Sequence, residues 1–202
     1  MKVTSLFPTA VASSKFELGL TEEQKLFLSN LKSYKNTGNT SSEDTYILKH
    51  EIMSNVREWI QSQIDEYMKT VESPINDVGL RITQSWLNWT KPGERHHKHS
   101  HLNSYISGVF YIDVDENTDN ICFSRKYFSN IDLGPKKDYN EYNSDSYWLP
   151  VETNMLLLFP STLEHNVDET INNKKTRISL AFNTFPRGFI GEDATMTGLH
   201  LS

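Results

Sequence analysis

The apolar residues of this chain change period once, near Pro74. Before it, Ile52, Val56, Ile60, Ile64, Tyr67 and Val71 recur at spacings of four and three. That recurrence puts them on one stripe and predicts a helix over about 51–71, packed against a sheet. Earlier, Thr21-Glu-Glu-Gln24 forms a capping box, in which the Thr hydroxyl accepts from the third helical amide while Gln24 reaches back. Leu26, Phe27, Leu28 and Leu31 follow it and predict a short helix near 21–33. The segment 38–44 reads as a polar loop. Beyond Pro74 the pattern is that of strands: Arg81–Thr90, Tyr105–Ile112, Ile121–Phe123, Tyr147–Leu149, Met155–Phe159 and Thr176–Phe185, parted by polar turns such as 115–120. Helices first and short strands afterwards predict a mainly β sandwich or barrel with helices packed outside one sheet.

At 202 residues the chain corresponds to roughly one domain of about 150 residues. We expect a helical support over 1–75 and a β core over 76–202. The polar stretch 124–146 carries Tyr127, Tyr139 and Tyr142 and is too long for a hairpin turn. It is read as a cover over a site.

Composition removes several classes. Acidic residues outnumber basic ones, 26 to 20, giving a net charge of −6. General nucleic-acid binding, which needs surplus Lys and Arg, is not expected. One cysteine, Cys122, allows neither an intrachain disulfide nor a multi-cysteine metal cluster. The longest apolar run, Met155–Phe159, is far shorter than the ~20 residues of a membrane span. The N-terminal segment lacks the apolar stretch of a signal peptide. A soluble, cytoplasmic protein is expected.

Histidine is the outlier. Of seven, four lie within 96–101: His96, His97, His99 and His101. In extended chain His99 and His101 point to one side with Cα atoms roughly 6–7 Å apart, so two imidazoles can converge on one cation. His97 and His99 have the same spacing. A third ligand must come from elsewhere, and His165, expected in the turn after the strand 155–160, is the candidate. Twelve residues later, Arg177 and Ser179 share a face of the last strand, opposite Ile178 and Leu180. A guanidinium turned inward requires a partner, either a protein carboxylate or a small dicarboxylate ligand.

The order His-x-His, a long gap, His, then Arg-x-Ser resembles the 2-oxoglutarate- and Fe(II)-dependent oxygenases. More closely, the chain is similar to an uncharacterised subgroup from bacteria and phages. The similarity rests on Leu6-Phe-Pro-Thr9, Gly38-Asn39, Trp86-Leu-Asn88, Gly93, the run from His99 to Tyr111, Leu158-Phe-Pro-Ser161, His165 and the run from Arg177 to Asn183. The resemblance implies a double-stranded β-helix, or jelly roll, with helices on one side. It implies Fe(II) on His99, His101 and His165, and Arg177 and Ser179 on the distal carboxylate of 2-oxoglutarate. Asn88 and Tyr111 are further cosubstrate contacts on this view, and Trp86 and Trp89 shape a pocket. The implied activity is hydroxylation of a small-molecule or peptide substrate with release of succinate and CO2.

One position departs from the family pattern. His101 stands where the usual triad has a carboxylate, which leaves the site more positive and opens it to zinc or cobalt. Two other readings therefore stand beside the first. One is a non-catalytic zinc module closed by His97 as fourth ligand, and the other is a three-His oxygenase that uses no 2-oxoglutarate.

Overall fold

A computed structural model describes residues 1–125, 131, 133–169 and 174–202. In chain order it contains β1 (Ala12–Lys15), α1 (Glu22–Ser29), β2 (Ser33–Lys35), β3 (Thr40–Ser42), α2 (Ser54–Tyr67), β4 (Val78–Thr90), β5 (His96–His99), β6 (Ile106–Asp113), β7 (Asn120–Ser124), β8 (Ser146–Pro150), β9 (Met155–Pro160), β10 (Glu164–Val167), β11 (Arg177–Ile190) and β12 (Leu199–Leu201).

The predicted capping box is present. Gln24 N–H donates to Thr21 Oγ1 at 3.2 Å, and Thr21 N–H donates to Gln24 Oε1 at 3.0 Å. The Gln24 amide also donates to the Ile52 carbonyl at 2.8 Å and to Asn55 Oδ1 at 2.6 Å, which ties α1 to the start of α2. On α2 the stripe Val56, Ile60, Ile64 and Tyr67 is buried as expected. The helix then widens into a π turn over Met68–Glu72, the phase of the stripe is lost, and Val71 is exposed.

The strands form two antiparallel sheets. The larger runs β1-β9-β6-β11-β4-β3-β2, with β12 on β11, and the smaller runs β5-β10-β7-β8. The larger sheet is covered on both faces. Leu156 and Leu158 of β9, Phe110 of β6, and Leu180 and Phe182 of β11 face the helices. Their alternates Leu157, Phe159, Val109 and Tyr111 face the smaller sheet, where Ile121 and Phe123 meet them. Period-two alternation thus feeds two cores, which is why these segments read as unbroken apolar runs. This is the double-stranded β-helix, a jelly roll with helices on one outer face.

Close packing explains Gly108. A Cβ there would stand 2.1 Å from Cζ of Phe182, its partner across β6 and β11. Only glycine lets the fully buried ring lie over the strand.

One reading of the first third is corrected. Residues 40–42, read as loop, form β3 and pair with β4. The first third also supplies two strands that the sequence did not announce, β1 on the edge of β9 and β2 on β3. Its Ser- and Lys-rich strands carry no apolar alternation, and only backbone pairing to neighbours makes them strands. No helix among the described residues is long and apolar enough to cross a membrane.

Candidate metal and anion site

β5 consists of His96-His-Lys-His99 and carries little strand propensity of its own. Pairing with β10 makes it a strand, and that pairing sets His99 opposite His165. His165 therefore sits in a strand, not in the turn that the sequence suggested. The β10 backbone is also paired to β7, with His165 opposite Phe123. His101 lies just past β5, where its N–H donates to the Ser161 carbonyl at 2.9 Å. Ser161 Oγ in turn lies 2.8 Å from Ser107 Oγ and 2.7 Å from Ser104 Oγ, and the Ser107 hydroxyl donates to Asn183 Oδ1 at 2.9 Å. The sequence runs ending in Ser161 and Asn183 thus hold the His101 turn against β6 and β11.

The rings of His99 and His165 have centroids 4.4 Å apart, His99 and His101 4.9 Å, and His101 and His165 5.2 Å. One ring nitrogen from each of the three lies within 4.8 Å of the others. His99 Nδ1 donates to the His97 carbonyl at 2.8 Å and His165 Nδ1 to the Leu163 carbonyl at 3.0 Å, which leaves Nε2 of each as the lone-pair donor. Burial, helped by the neighbouring imidazoles, pushes His165 down to about 3 and His101 to about 4, and it lowers His99. Imidazoles held neutral in this way are ready ligands. The donor set fits a divalent transition metal of the Fe, Co, Ni or Zn type.

His97 does not complete this group. It belongs to a second trio with His96 and His99. Among the described residues no fourth His, Cys, Asp or Glu closes the inner set, which is the open arrangement of a reactive metal rather than a closed structural one.

The same cavity is lined by Trp86, Asn88, His96, Arg177 and Ser179. Arg177 is 3% exposed. Its Nη1 donates to the Asn120 carbonyl, and its guanidinium stands over the Tyr111 ring, Cζ 5.0 Å from the centroid. Among the described residues no carboxylate lies within ion-pair distance of it. Ser179 is opposite Asn88 on β4 and Tyr111 on β6. Asn88 Oδ1 accepts from Ser41 Oγ at 2.8 Å, so β3 orients its amide. Tyr111 stands behind Arg177 rather than on the cavity wall, fully buried, its hydroxyl without a well-formed hydrogen bond. Burial pushes its pKa up to about 12 against the lowering effect of the guanidinium. The cavity is small, with a free volume of about 40 Å³.

Sequence reasoning brought His99, His101, His165, Arg177, Ser179, Asn88 and Trp86 to this place. It missed His96, Ser107 and Ala181. Strand alternation signals Ala181, the next same-face residue after Arg177 and Ser179. Trp89 packs on the helix side instead, one residue out of phase with Asn88. Of the expected cover over 124–146, residues 126–130 and 132, with Tyr127, lie outside the described residues. Tyr139 and Tyr142 are exposed and do not line the cavity.

Residues 84–183 match a protein-family model described as "Putative 2OG-Fe(II) oxygenase". The chain belongs to this oxygenase family. The matched span holds every candidate site residue named above from Trp86 to Asn183. The family depends on Fe(II) and 2-oxoglutarate. No curated protein matches the chain. Among solved structures it is similar to HygX from Streptomyces hygroscopicus with nickel and 2-oxoglutarate bound, at 12% identity, covering 96% of this chain and 92% of that one, with a TM-score of 0.60. It is also similar to a Pseudomonas putida prolyl-4-hydroxylase, at 11% identity, 89% and 94% coverage and a TM-score of 0.58. A third is a Trichoplax adhaerens prolyl hydroxylase solved with a hypoxia inducible factor peptide fragment, at 12% identity, 87% and 83% coverage and a TM-score of 0.57. At these identities the likeness is one of fold.

Proposed function

We propose that the chain is a dioxygenase that hydroxylates a small-molecule or peptide substrate, consuming O2 and 2-oxoglutarate and releasing succinate and CO2. The observation that carries this reading is the buried Arg177 guanidinium, which has no carboxylate partner among the described residues and opens onto the cavity of the three histidines. An unpaired buried cation costs several kcal/mol, roughly, unless an anion completes it.

His99, His101 and His165 would hold the metal through three neutral nitrogens. Arg177 and Ser179 bind the distal carboxylate of 2-oxoglutarate, the guanidinium by paired bonds and the hydroxyl by a third. Tyr111 supports the guanidinium from behind, and Asn88, held by Ser41, borders the same subsite. Together, Fe(II) and 2-oxoglutarate supply an oxidative decarboxylation in which one oxygen atom of O2 enters succinate and the other enters a substrate C–H bond. Trp86 and Phe159 supply an apolar lining that limits water at the site.

Substrate class follows the similar structures, one solved with hygromycin B and another with a peptide. The same reading treats 1–202 as a single domain, with 1–75 as its support, acting in the cytoplasm, where the buried free thiol of Cys122 stays reduced. A closed zinc module is disfavoured because His97 falls outside the inner trio.

The test is succinate formation by the purified, iron-loaded chain supplied with 2-oxoglutarate and O2. Slow succinate release without substrate is expected. No succinate, together with no measurable 2-oxoglutarate binding, would remove the reading.

A further inference from the structure

The histidine cluster contains more imidazoles than a three-ligand site uses. His96 and His97 are in excess, and they are not scattered: His96 stacks on His99 with centroids 4.7 Å apart and planes 24° apart, while His97 lies 4.9 Å from His99 and 5.2 Å from His96. Their ligand atoms, with that of His99, also lie within 4.8 Å of one another. His99 therefore belongs to two trios. The trios differ in depth. His97 is exposed, His96, His99 and His101 are half-buried, and His165 is 5% exposed.

We propose that His96, His97 and His99 form an outer docking position for the divalent metal, from which the ion pivots on the shared His99 into the inner position of His99, His101 and His165. The proposal rests on the reading of the inner trio as the metal site.

Two observations carry it. First, His99 Nδ1 is committed to the His97 carbonyl, so Nε2 is its one free lone pair. Both trios must use that atom, and they are mutually exclusive: the chain holds a single ion at a time. Second, the inner trio is anchored on the buried His165, whereas the outer trio meets solvent through His97. A hydrated cation must exchange its waters for imidazoles. An intermediate position, sharing one ligand with the final one, divides that exchange into smaller steps and lowers the barrier. Because the lower barrier serves both directions, uptake and release accelerate together while the affinity of the inner site is unchanged.

The test uses the full-length chain freed of metal with a chelator, Co(II) as the probe, and its visible absorption followed by stopped flow. The wild type is expected to bind a single Co(II). His97→Ala keeps the backbone carbonyl that orients His99. It is expected to slow Co(II) uptake and chelator-driven release by the same factor, about tenfold, a barrier difference of about 1.4 kcal/mol, with an unchanged dissociation constant. His97→Asp returns an oxygen ligand at the outer position and is expected to restore both rates, which loss of ring packing would not allow. Wild-type rates in His97→Ala overturn the relay. Two Co(II) per wild-type chain, falling to one in His97→Ala, also overturn it by showing an independent outer site. His165→Ala separates the two proposals. If it abolishes tight binding while His97→Ala is kinetically silent, only the relay fails. If it retains the ion while His97→Ala loses it, the inner site fails with the relay.

Discussion

His165 on β10 stands directly across from His99 on β5, and their rings meet at 4.4 Å. The pair joins two segments more than sixty residues apart in sequence through one antiparallel register. A slip of one residue would turn one of the two rings to the opposite face of the sheet.

Removal of His165 leaves two of three inner ligands and takes away the most buried one. His165→Ala is expected to lose the bound Fe(II), read as iron per chain after anaerobic reconstitution and desalting. Iron content equal to the wild type would defeat the ligand assignment.

Arg177 is the anion test. With the guanidinium gone, a carboxylate of 2-oxoglutarate enters a buried site without its partner. Arg177→Ala is expected to weaken 2-oxoglutarate binding by about 2–5 kcal/mol, as measured by calorimetry on the metal-loaded chain. Arg177→Lys keeps the charge but not the planar fork and is expected to fall between the two. An unaltered affinity in Arg177→Ala would remove the clamp.

The metal-free chain has an acid liability. Burial holds His96 and His165 at about 3 and His101 at about 4, below the ordinary histidine value of 6.5. These groups are neutral in the folded chain while the unfolded chain protonates them, so acid favours unfolding. Their contribution is complete above about pH 6.5 and is lost as pH falls from there toward 3–4, with a slope of about 1.4 kcal/mol per pH unit for each proton taken up. Melting temperatures of the metal-free chain should drop steadily from pH 7 to pH 4. A flat profile would contradict the burial of these rings.

Gly108 is a packing test remote from ligand chemistry. Gly108→Ala forces a methyl group against the Phe182 ring and is expected to cost about 1–3 kcal/mol in chemical denaturation. Phe182→Leu in the same chain should recover part of the loss. Equal destabilisation in single and double variants would mean the clash is not with that ring.

Much of this was legible without a structure. The stripe on α2, the capping box at Thr21 and the runs that became β4, β6, β9 and β11 are local patterns. Each is fixed by side-chain period and by hydrogen bonds within a few residues. His99-x-His101 and Arg177-x-Ser179 were legible for the same reason, since same-face placement at i and i+2 is a property of extended chain.

What the sequence by itself determined is therefore period and face: which residues point together along one helix or strand, and that helices pack outside one sheet. The tertiary structure decided who meets whom. β1, β3, β5 and β10 are strands because a neighbouring backbone pairs with them, and no alternation in Ala12–Lys15 or His96–His99 announces it. The choice of His101 over His97 for the inner trio, the place of Tyr111 behind Arg177, and the absence of a carboxylate beside that guanidinium among the described residues likewise depend on register and packing between distant segments. Those are set by long-range contacts, to which a side-chain period is blind.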